Sequence, residues 1–232
     1  MTIVIMQPYL FPYIGYFQLM RAASTFVVYD DVNYIRGGWI NRNRWLANGQ
    51  AAYFTVPIKD ASSFRLIAET EIGGDGRWRE KLLRGFEQNY RKAPYYHEAM
   101  GLLEPVIRME EPSIARRAVA SLLAVRTYLG LSTTIIESSA RFGNARMAGS
   151  ERVIDVCRQL GADGYVNASG GAELYGKAEF ASHGIELKFL RPRRIVYAQP
   201  ANPFVENLSI LDVVAHNSAD EVRRFLTEYD LE

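Results

Sequence analysis

The sequence predicts an α/β protein with a mostly parallel sheet, flanking helices, an antiparallel hairpin and a helical insertion. Three observations predict it. Short apolar runs such as Ile3-Val4-Ile5-Met6 alternate with stretches whose apolar residues recur at helical spacing, the rhythm of strand–helix–strand units. Two strand-like runs, 41–47 and 51–57, flank Asn48-Gly49, a dipeptide that tolerates the positive φ angles of a tight hairpin turn. Residues 76–130 lack strand signals and read as three helices.

Taken in order, residues 2–6 read as a central strand stopped by Pro8. Residues 13–23 read as a helix, with Ile14, Phe17, Leu19 and Met20 recurring, and 25–29 as the next strand. Such a unit wants a right-handed crossover and places its ligand site beyond the strand ends. In the helical stretch Pro94 and Pro112 suit first-turn positions and Gly130 a stop. The α/β rhythm resumes with a strand at 133–136, a helix at about 150–160 capped by Ser150, a Gly161 stop and a strand at 164–166. A helix near 173–183, a strand at 185–190 and an amphipathic helix at 218–229 complete the chain. The expected organisation is a single α/β domain, 1–232, with 76–130 as a helical insertion or cap.

Composition bounds the function. With 48% hydrophobic and 23% charged residues the chain is globular, and 27 basic against 26 acidic side chains argue against a nucleic-acid coat or a polybasic anchor. Cys157 is the single cysteine, so no intrachain disulfide forms, and a cytoplasmic, reducing location is expected. No run approaches the ~20 apolar residues that span a bilayer, and the apolar start at residues 2–6 is too short for a signal peptide. His97, His183 and His216 are scattered without metal-ligand spacing, so no metal and no cofactor is expected. Cys157 shares the apolar side of its helix with Val153 and Ile154 and reads as buried.

The densest candidate site begins at Gln7. Pro8 and Pro12 fix φ on a loop running from strand into helix, Gly15 permits close approach, and Gln7, Tyr9, Tyr13 and Tyr16 offer polar tips on apolar bodies. Asp30-Asp31 follow the second strand, where a carboxylate can orient an amine or act as a general base. Asn33, Arg36, Asn41 and Arg44 follow at short spacing. Alternation along 41–47 puts Asn41, Asn43 and Trp45 on one face and Arg42 and Arg44 on the other. Arg36, Arg44 and Lys59 are the cations expected on phosphate or carboxylate groups, with Arg42 more suited to a solvated face. Asn167, Ser169, Gly170 and Gly171 lie between a strand and a helix, where paired glycines can expose N–H donors to a phosphate. Arg191-Pro192-Arg193-Arg194 reads first as an exposed loop and second as a contact for a phosphate chain or RNA.

The segments MQPYLFPYIGYFQL, DDVNYIRGGWINRNR, LGADGYVNASGGAELYGKAEFASHGIELKFL and FVENLSILDVV resemble the WbqC-like family, over almost the whole chain. Members of that family often sit among genes for bacterial surface polysaccharides. The chain departs from the pattern at Val205-Glu206, where relatives carry Ile-Pro, and at His216, where an aromatic is expected. FPYIGYFQL is more faintly similar to the signature of HIGH-type nucleotidyltransferases, with Tyr13 and Tyr16 standing where that signature has two histidines. A neutral phenol can hydrogen-bond a phosphate but lacks the charge of an imidazolium, so nucleotide binding is expected and full adenylyl transfer is not.

The resemblance implies a transferase that modifies a nucleotide-linked amino sugar, adding a small acyl or aminoacyl group such as glycine, in O-antigen or other surface-polysaccharide biosynthesis. Asp31, with Asp30 beside it, would take the amine proton. Gln7, Tyr9, Tyr13, Gly15, Tyr16, Asn33 and Asn41 would shape the substrate pocket, and Arg36, Arg44, Lys59 and the 167–171 loop would hold anions. The expected partners are the nucleotide-linked sugar and an acyl or aminoacyl donor, an aminoacyl-tRNA being the sole nucleic acid considered. The alternatives are a non-catalytic sugar- or nucleotide-binding scaffold and a degenerate nucleotidyltransferase.

Overall fold

The computed structural model describes residues 1–201 and 203–232; residue 202, where the 202–218 stretch bearing the FVENLSILDVV match begins, lies outside the described residues. The chain forms β1 (Thr2–Met6), α1 (Ile14–Arg21), β2 (Thr25–Val28), β3 (Arg42–Ala47), β4 (Gln50–Thr55), α2 (Arg77–Tyr90), α3 (Tyr96–Arg108) and α4 (Ile114–Tyr128). It continues through β5 (Thr134–Ile136), α5 (Gly149–Leu160), β6 (Gly164–Ala168), α6 (Lys177–Ser182), β7 (Glu186–Pro192), α7 (Ile210–His216), α8 (Ala219–Phe225) and β8 (Tyr229–Leu231). Six strands make one sheet in the order β5-β2-β1-β6-β7-β8, parallel except for β8, while β3 and β4 form a separate antiparallel pair. From β1 the chain winds one way to β2 and β5, and from β6 the other way to β7. The order therefore reverses between β1 and β6, and a crevice opens there beyond the strand ends.

Strand alternation sorts the core into two layers. Val4, Phe26, Val28 and Val166 point to the face covered by α1, α4 and α7, packing among Phe17, Leu122 and Val214. Ile3, Ile5, Val27, Tyr165 and Leu187 point to the other face, against Val153, Ile154 and Cys157 of α5 and Phe180 of α6. The hairpin turns at Asn48 and Gly49, with φ of +51° and +76°, and Trp45 docks it on α2 through Phe86, with ring centroids 5.8 Å apart. Its partner ring Phe54 lies 4.7 Å from Trp45.

Several local expectations shift. Ser150 is inside α5, whose cap is Ala148, and its hydroxyl donates to Glu179 instead of capping. Pro94 and Pro112 precede the caps Tyr95 and Ser113, one step outside the helices, while Pro105 sits within α3. The stretch 173–183 begins at the last residue of a 3-10 turn (Ser169–Glu173) and holds only the short α6 as α-helix. The final helix stops at Phe225, since Tyr229–Leu231 pair with β7 and fully buried Gln18 donates to the Phe225 and Glu228 carbonyls at 2.9 and 3.0 Å. Helix α7, absent from the sequence reading, is capped by Ser209.

Ser209 belongs to the clamp that shapes the loop after β1. Phe11 is buried with φ +43°, a left-handed conformation that side chains other than glycine seldom adopt. Its carbonyl accepts from Asn43 Nδ2 at 2.6 Å and Ser209 Oγ at 2.8 Å, and its N–H donates to Ser121 Oγ at 3.1 Å. Asn43 Nδ2 also reaches the Leu10 carbonyl at 3.2 Å. Replacing Asn43 with Ala removes a donor that two buried carbonyls share, so we expect a loss of about 2 kcal/mol in urea unfolding with an unchanged m-value. A loss below ~0.5 kcal/mol would show that the clamp does not hold the loop.

Candidate functional site

The crevice at the β1/β6 reversal is a cleft of about 450 Å³. Met6 and Gln7 line it from the end of β1, Tyr29 from the end of β2, and Asn167 and Ala168 from the end of β6. Tyr9, Ile35, Trp39, Gly170, Gly171, Leu174 and Tyr175 extend its walls, and Tyr165 forms part of its floor. The odd-numbered positions Tyr165 and Asn167 share one face of β6, so the same alternation that buries Tyr165 presents Asn167 to the opening.

Polar groups in this cleft are short of partners. Among the described residues the Gln7 amide and the hydroxyls of Tyr29, Tyr165 and Tyr175 make no hydrogen bond, and neither does the Trp39 indole N–H. Tyr165 is 1% exposed as a residue, yet its hydroxyl is not among the buried polar atoms without a partner, so its oxygen is open to the cleft. Burial, with Tyr175 and Tyr29 close by, pushes the Tyr165 phenol well above its ordinary range, and burial likewise raises Tyr175. These phenols stay neutral, each able to donate and accept. Among the described residues no Asp, Glu, His, Lys, Arg or Cys side chain lines the cleft, which makes that lining neutral and aromatic.

The remaining loop residues support these walls. Tyr16 is buried and donates to the Gln7 carbonyl at 2.9 Å, its ring set edge-on to Tyr9 at 5.3 Å. Its hydroxyl is thus committed, and burial raises its pKa well above the ordinary value, as it does for Tyr9. Gly15 is buried because any Cβ there would collide with the Tyr13 ring. Gly171 has the same role against Asn167, whereas a Cβ on Gly170 would meet open space. Asn41 is buried between Tyr34 and the Val56 carbonyl, and exposed Asn33 bridges Leu66 through its backbone.

The expected cations do not gather at the cleft. Lys59 pairs with Glu71 at 3.4 Å, Arg36 is exposed on the 35–39 loop, and Arg44 lies 5.6 Å over Trp39 while donating to the Asn207 carbonyl at 3.3 Å. Guanidinium groups meet instead in a second pocket of about 440 Å³, where Arg191, Arg193 and Arg194 face Ser169 and Tyr13. Ser169 lies between that pocket and the cleft, one residue before Gly170. Carboxylates hold the arginines: Arg191 pairs with Glu232, Arg193 with Asp230 and Arg194 with Glu206.

Asp30 and Asp31 are absent from the cleft lining. Asp31 forms a buried ion pair with Arg152 and accepts from Ser139 Oγ. Arg152 also donates to Asn144 at 3.0 Å and lies 4.8 Å over the Tyr29 ring. Taking up a proton would break that pair, so Asp31 is poorly placed to serve as a free base and well placed to fix Tyr29 from behind. Asp30 accepts from Ser138 Oγ at 2.8 Å and from the Ser139 N–H at 3.1 Å. Burial raises the Asp30 carboxyl above its ordinary value, outweighing those hydrogen bonds.

Among the described residues no group of three or more His, Cys, Asp or Glu is placed to hold a metal ion, and no helix is long and apolar enough to cross a membrane. The fold and its crevice define the class, an open α/β sheet with a crevice where the strand order reverses, the place where such sheets commonly hold ligands. Within that class the chain belongs to the WbqC-like protein family, which matches residues 7–224. It is 28% identical over 224 residues to the uncharacterized protein Rv1507c of Mycobacterium tuberculosis (strain ATCC 25618 / H37Rv), a match covering 94% of each chain. No solved structure matches the chain.

Of the aromatic residues in the cleft, Tyr29, Trp39 and Tyr165 are the ones that the sequence reading missed. The signal was the i, i+2 relation of Tyr165 to Asn167, which puts both on one strand face.

Two predictions follow from the aspartates. Asp31→Asn leaves Arg152 buried without its counter-charge and should cost about 3–5 kcal/mol in denaturant unfolding, much of it recovered in an Asp31→Leu/Arg152→Met double variant. Equal losses in both variants would separate the ion pair from the fold. For Asp30 the folded carboxyl binds its proton more tightly than the unfolded one. Stability is therefore lost as pH rises from the ordinary value of 3.8 through the raised one. Asp30→Asn should raise the melting temperature at pH 7 and give no gain below pH 3.8, and a gain independent of pH would refute that account.

Proposed function

We propose that the cleft binds the glycosyl part of a nucleotide-linked amino sugar, and that the protein is a transferase adding a small acyl or aminoacyl group to the sugar amine in surface-polysaccharide biosynthesis. The observation that carries the binding reading is the set of partnerless groups, the Gln7 amide and the Tyr29, Tyr165 and Tyr175 hydroxyls, gathered in one neutral aromatic cleft. A sugar ring offers hydroxyls that both donate and accept, with apolar C–H faces that suit Tyr9 and Trp39. The diphosphate then falls across Ser169 toward Arg191, Arg193 and Arg194. Family membership supports the transferase reading through the polysaccharide gene context of such proteins.

In the reaction the amine nitrogen attacks the carbonyl carbon of an activated donor, the bond to the donor oxygen or sulfur breaks, and the amine proton leaves with that group. A neutral cleft promotes this step by holding the two reactants in line. Asp31 serves as a positioning residue through Arg152 and Tyr29. That no Asp, Glu, His, Lys, Arg or Cys side chain lines the cleft among the described residues favours one second reading, a non-catalytic carrier of the same ligand.

Tyr165→Phe tests the reading, because the lost hydroxyl has no protein partner. Stability should stay within about 0.5 kcal/mol, while affinity for a nucleoside-diphosphate amino sugar in calorimetry should fall roughly tenfold. Gly170→Val should fold normally and narrow the cleft with a similar loss. Unchanged affinity in both variants would remove the sugar from this cleft. Mass spectrometry of the ligand with thioester or aminoacyl donors then separates transfer, which adds mass, from carriage, which does not.

A further inference from the structure

Residues 32–59 contain four basic side chains, Arg36, Arg42, Arg44 and Lys59, and no acidic one. Extended to residue 67 the stretch adds Arg65 and a single acid, Asp60. In the structure this stretch carries large apolar side chains held out in solvent. Phe64 is 96% exposed, Ile35 55%, Tyr53 54% and Trp39 44%, and Leu174, from the opposite lip of the cleft, is 73% exposed.

They share one face. Ile35, Trp39 and Leu174 all line the cleft mouth, and Trp39 stands 5.9 Å from Tyr53. The Tyr34 N–H donates to the Arg65 carbonyl at 2.8 Å, which sets the Phe64 loop beside Ile35. Contiguous exposed apolar surface of this kind marks a contact with something apolar. Among the described residues Arg36, Arg42, Arg44 and Arg65 have no carboxylate within ion-pair distance, while Lys59 is neutralised by Glu71.

We propose that this face docks on an anionic lipid bilayer, so that the cleft meets its ligand at the membrane–water interface. Aliphatic and aromatic side chains enter the headgroup–acyl boundary, and unpaired arginines meet lipid phosphates around them. Single-stranded RNA also binds basic, aromatic surfaces, yet it requires open ring faces for stacking. Here Arg42 covers Tyr53 at 4.7 Å and Arg44 covers Trp39 at 5.6 Å, which leaves Phe64 as the one open ring of this face among the described residues, and Ile35 and Leu174 cannot stack on a base. The inference shares Trp39 with the sugar reading but is tested at Tyr53 and Phe64, which do not line the cleft.

The test is co-sedimentation of the full chain with phosphatidylcholine vesicles and with vesicles also containing phosphatidylglycerol, comparing the parent with a Tyr53→Ser/Phe64→Ser variant. We expect pelleting with the anionic vesicles that weakens as salt rises and falls about tenfold in the variant. The variant should keep the parent's melting temperature and its affinity for soluble cleft ligands. Pelleting no better than with phosphatidylcholine alone, or equal pelleting of the folded variant, would overturn the proposal. So would tighter binding of a single-stranded RNA through the same two residues, or a parent dimer in analytical ultracentrifugation that the variant dissolves. Loss of ligand affinity in Tyr165→Phe leaves this experiment untouched, so each reading fails on its own.

Discussion

The conformation of Phe11 is the constraint on which the cleft depends. A buried aromatic residue at φ +43° carries backbone strain of about 1–2 kcal/mol, and it persists because its surroundings leave no alternative. Asn43 reaches it from the hairpin, Ser121 from α4 and Ser209 from the start of α7. Three elements far apart in sequence thus converge on one residue. Pro8 and Pro12 fix φ on either side, and the chain between them turns sharply enough to bring Gln7 and Tyr9 to the mouth of the crevice. A loop held this way has its shape before any ligand arrives, which spares the ordering entropy that a flexible loop would lose on binding.

Charge is distributed to suit that geometry. Inside the cleft burial keeps the Tyr165 and Tyr175 phenols neutral, so the groups that face a ligand neither repel nor neutralise one another. Two buried charges, Asp31 and Arg152, lie behind Tyr29 and satisfy each other. The guanidinium groups of Arg191, Arg193 and Arg194, each paired with a carboxylate, stand at the open edge by β7, where water reduces the cost of holding them. A ligand with a neutral ring and a charged tail matches this division better than one that is charged throughout.

The parallel strands were legible in the sequence because each is a short apolar run ended by a turn signal, and the hairpin because Asn48-Gly49 leaves few other conformations. Side-chain duty was legible only where alternation along a strand decided it. Arg42 and Arg44 do share the outer face of β3, with Asn43 and Trp45 buried opposite. That Asn43 secures a backbone carbonyl instead of a ligand depends on where the Leu10–Phe11 carbonyls lie, which no local pattern encodes. Asp31 reads as a free carboxylate because its partner, Arg152, is 121 residues away. Tyr165 escaped notice because an aromatic in a buried strand is ordinary, and only the missing partner for its hydroxyl sets it apart. Helix α7 is seven residues long, too short for a helical period to stand out from a strand-like apolar run.

That unread helix is what joins the two pockets. Asp212 of α7 is fully buried and accepts hydrogen bonds from the Tyr90 and Tyr197 hydroxyls and, at 2.9 Å, from the Gln199 amide. Tyr90 in turn accepts the Leu46 N–H of the hairpin at 2.7 Å. Gln199 exchanges hydrogen bonds with the Val205 backbone, fixing the segment that contributes Tyr197, Phe204 and Glu206 to the arginine pocket. The start of α7 therefore fixes Phe11 through its cap Ser209 and the arginine pocket through Asp212 in its first turn. A shift of the hairpin would strain both, since Asn43 and Leu46 lie three residues apart on the same strand. Neutral cleft and cationic pocket are thus walls of one packed unit, held in register by a carboxylate and a serine on a two-turn helix.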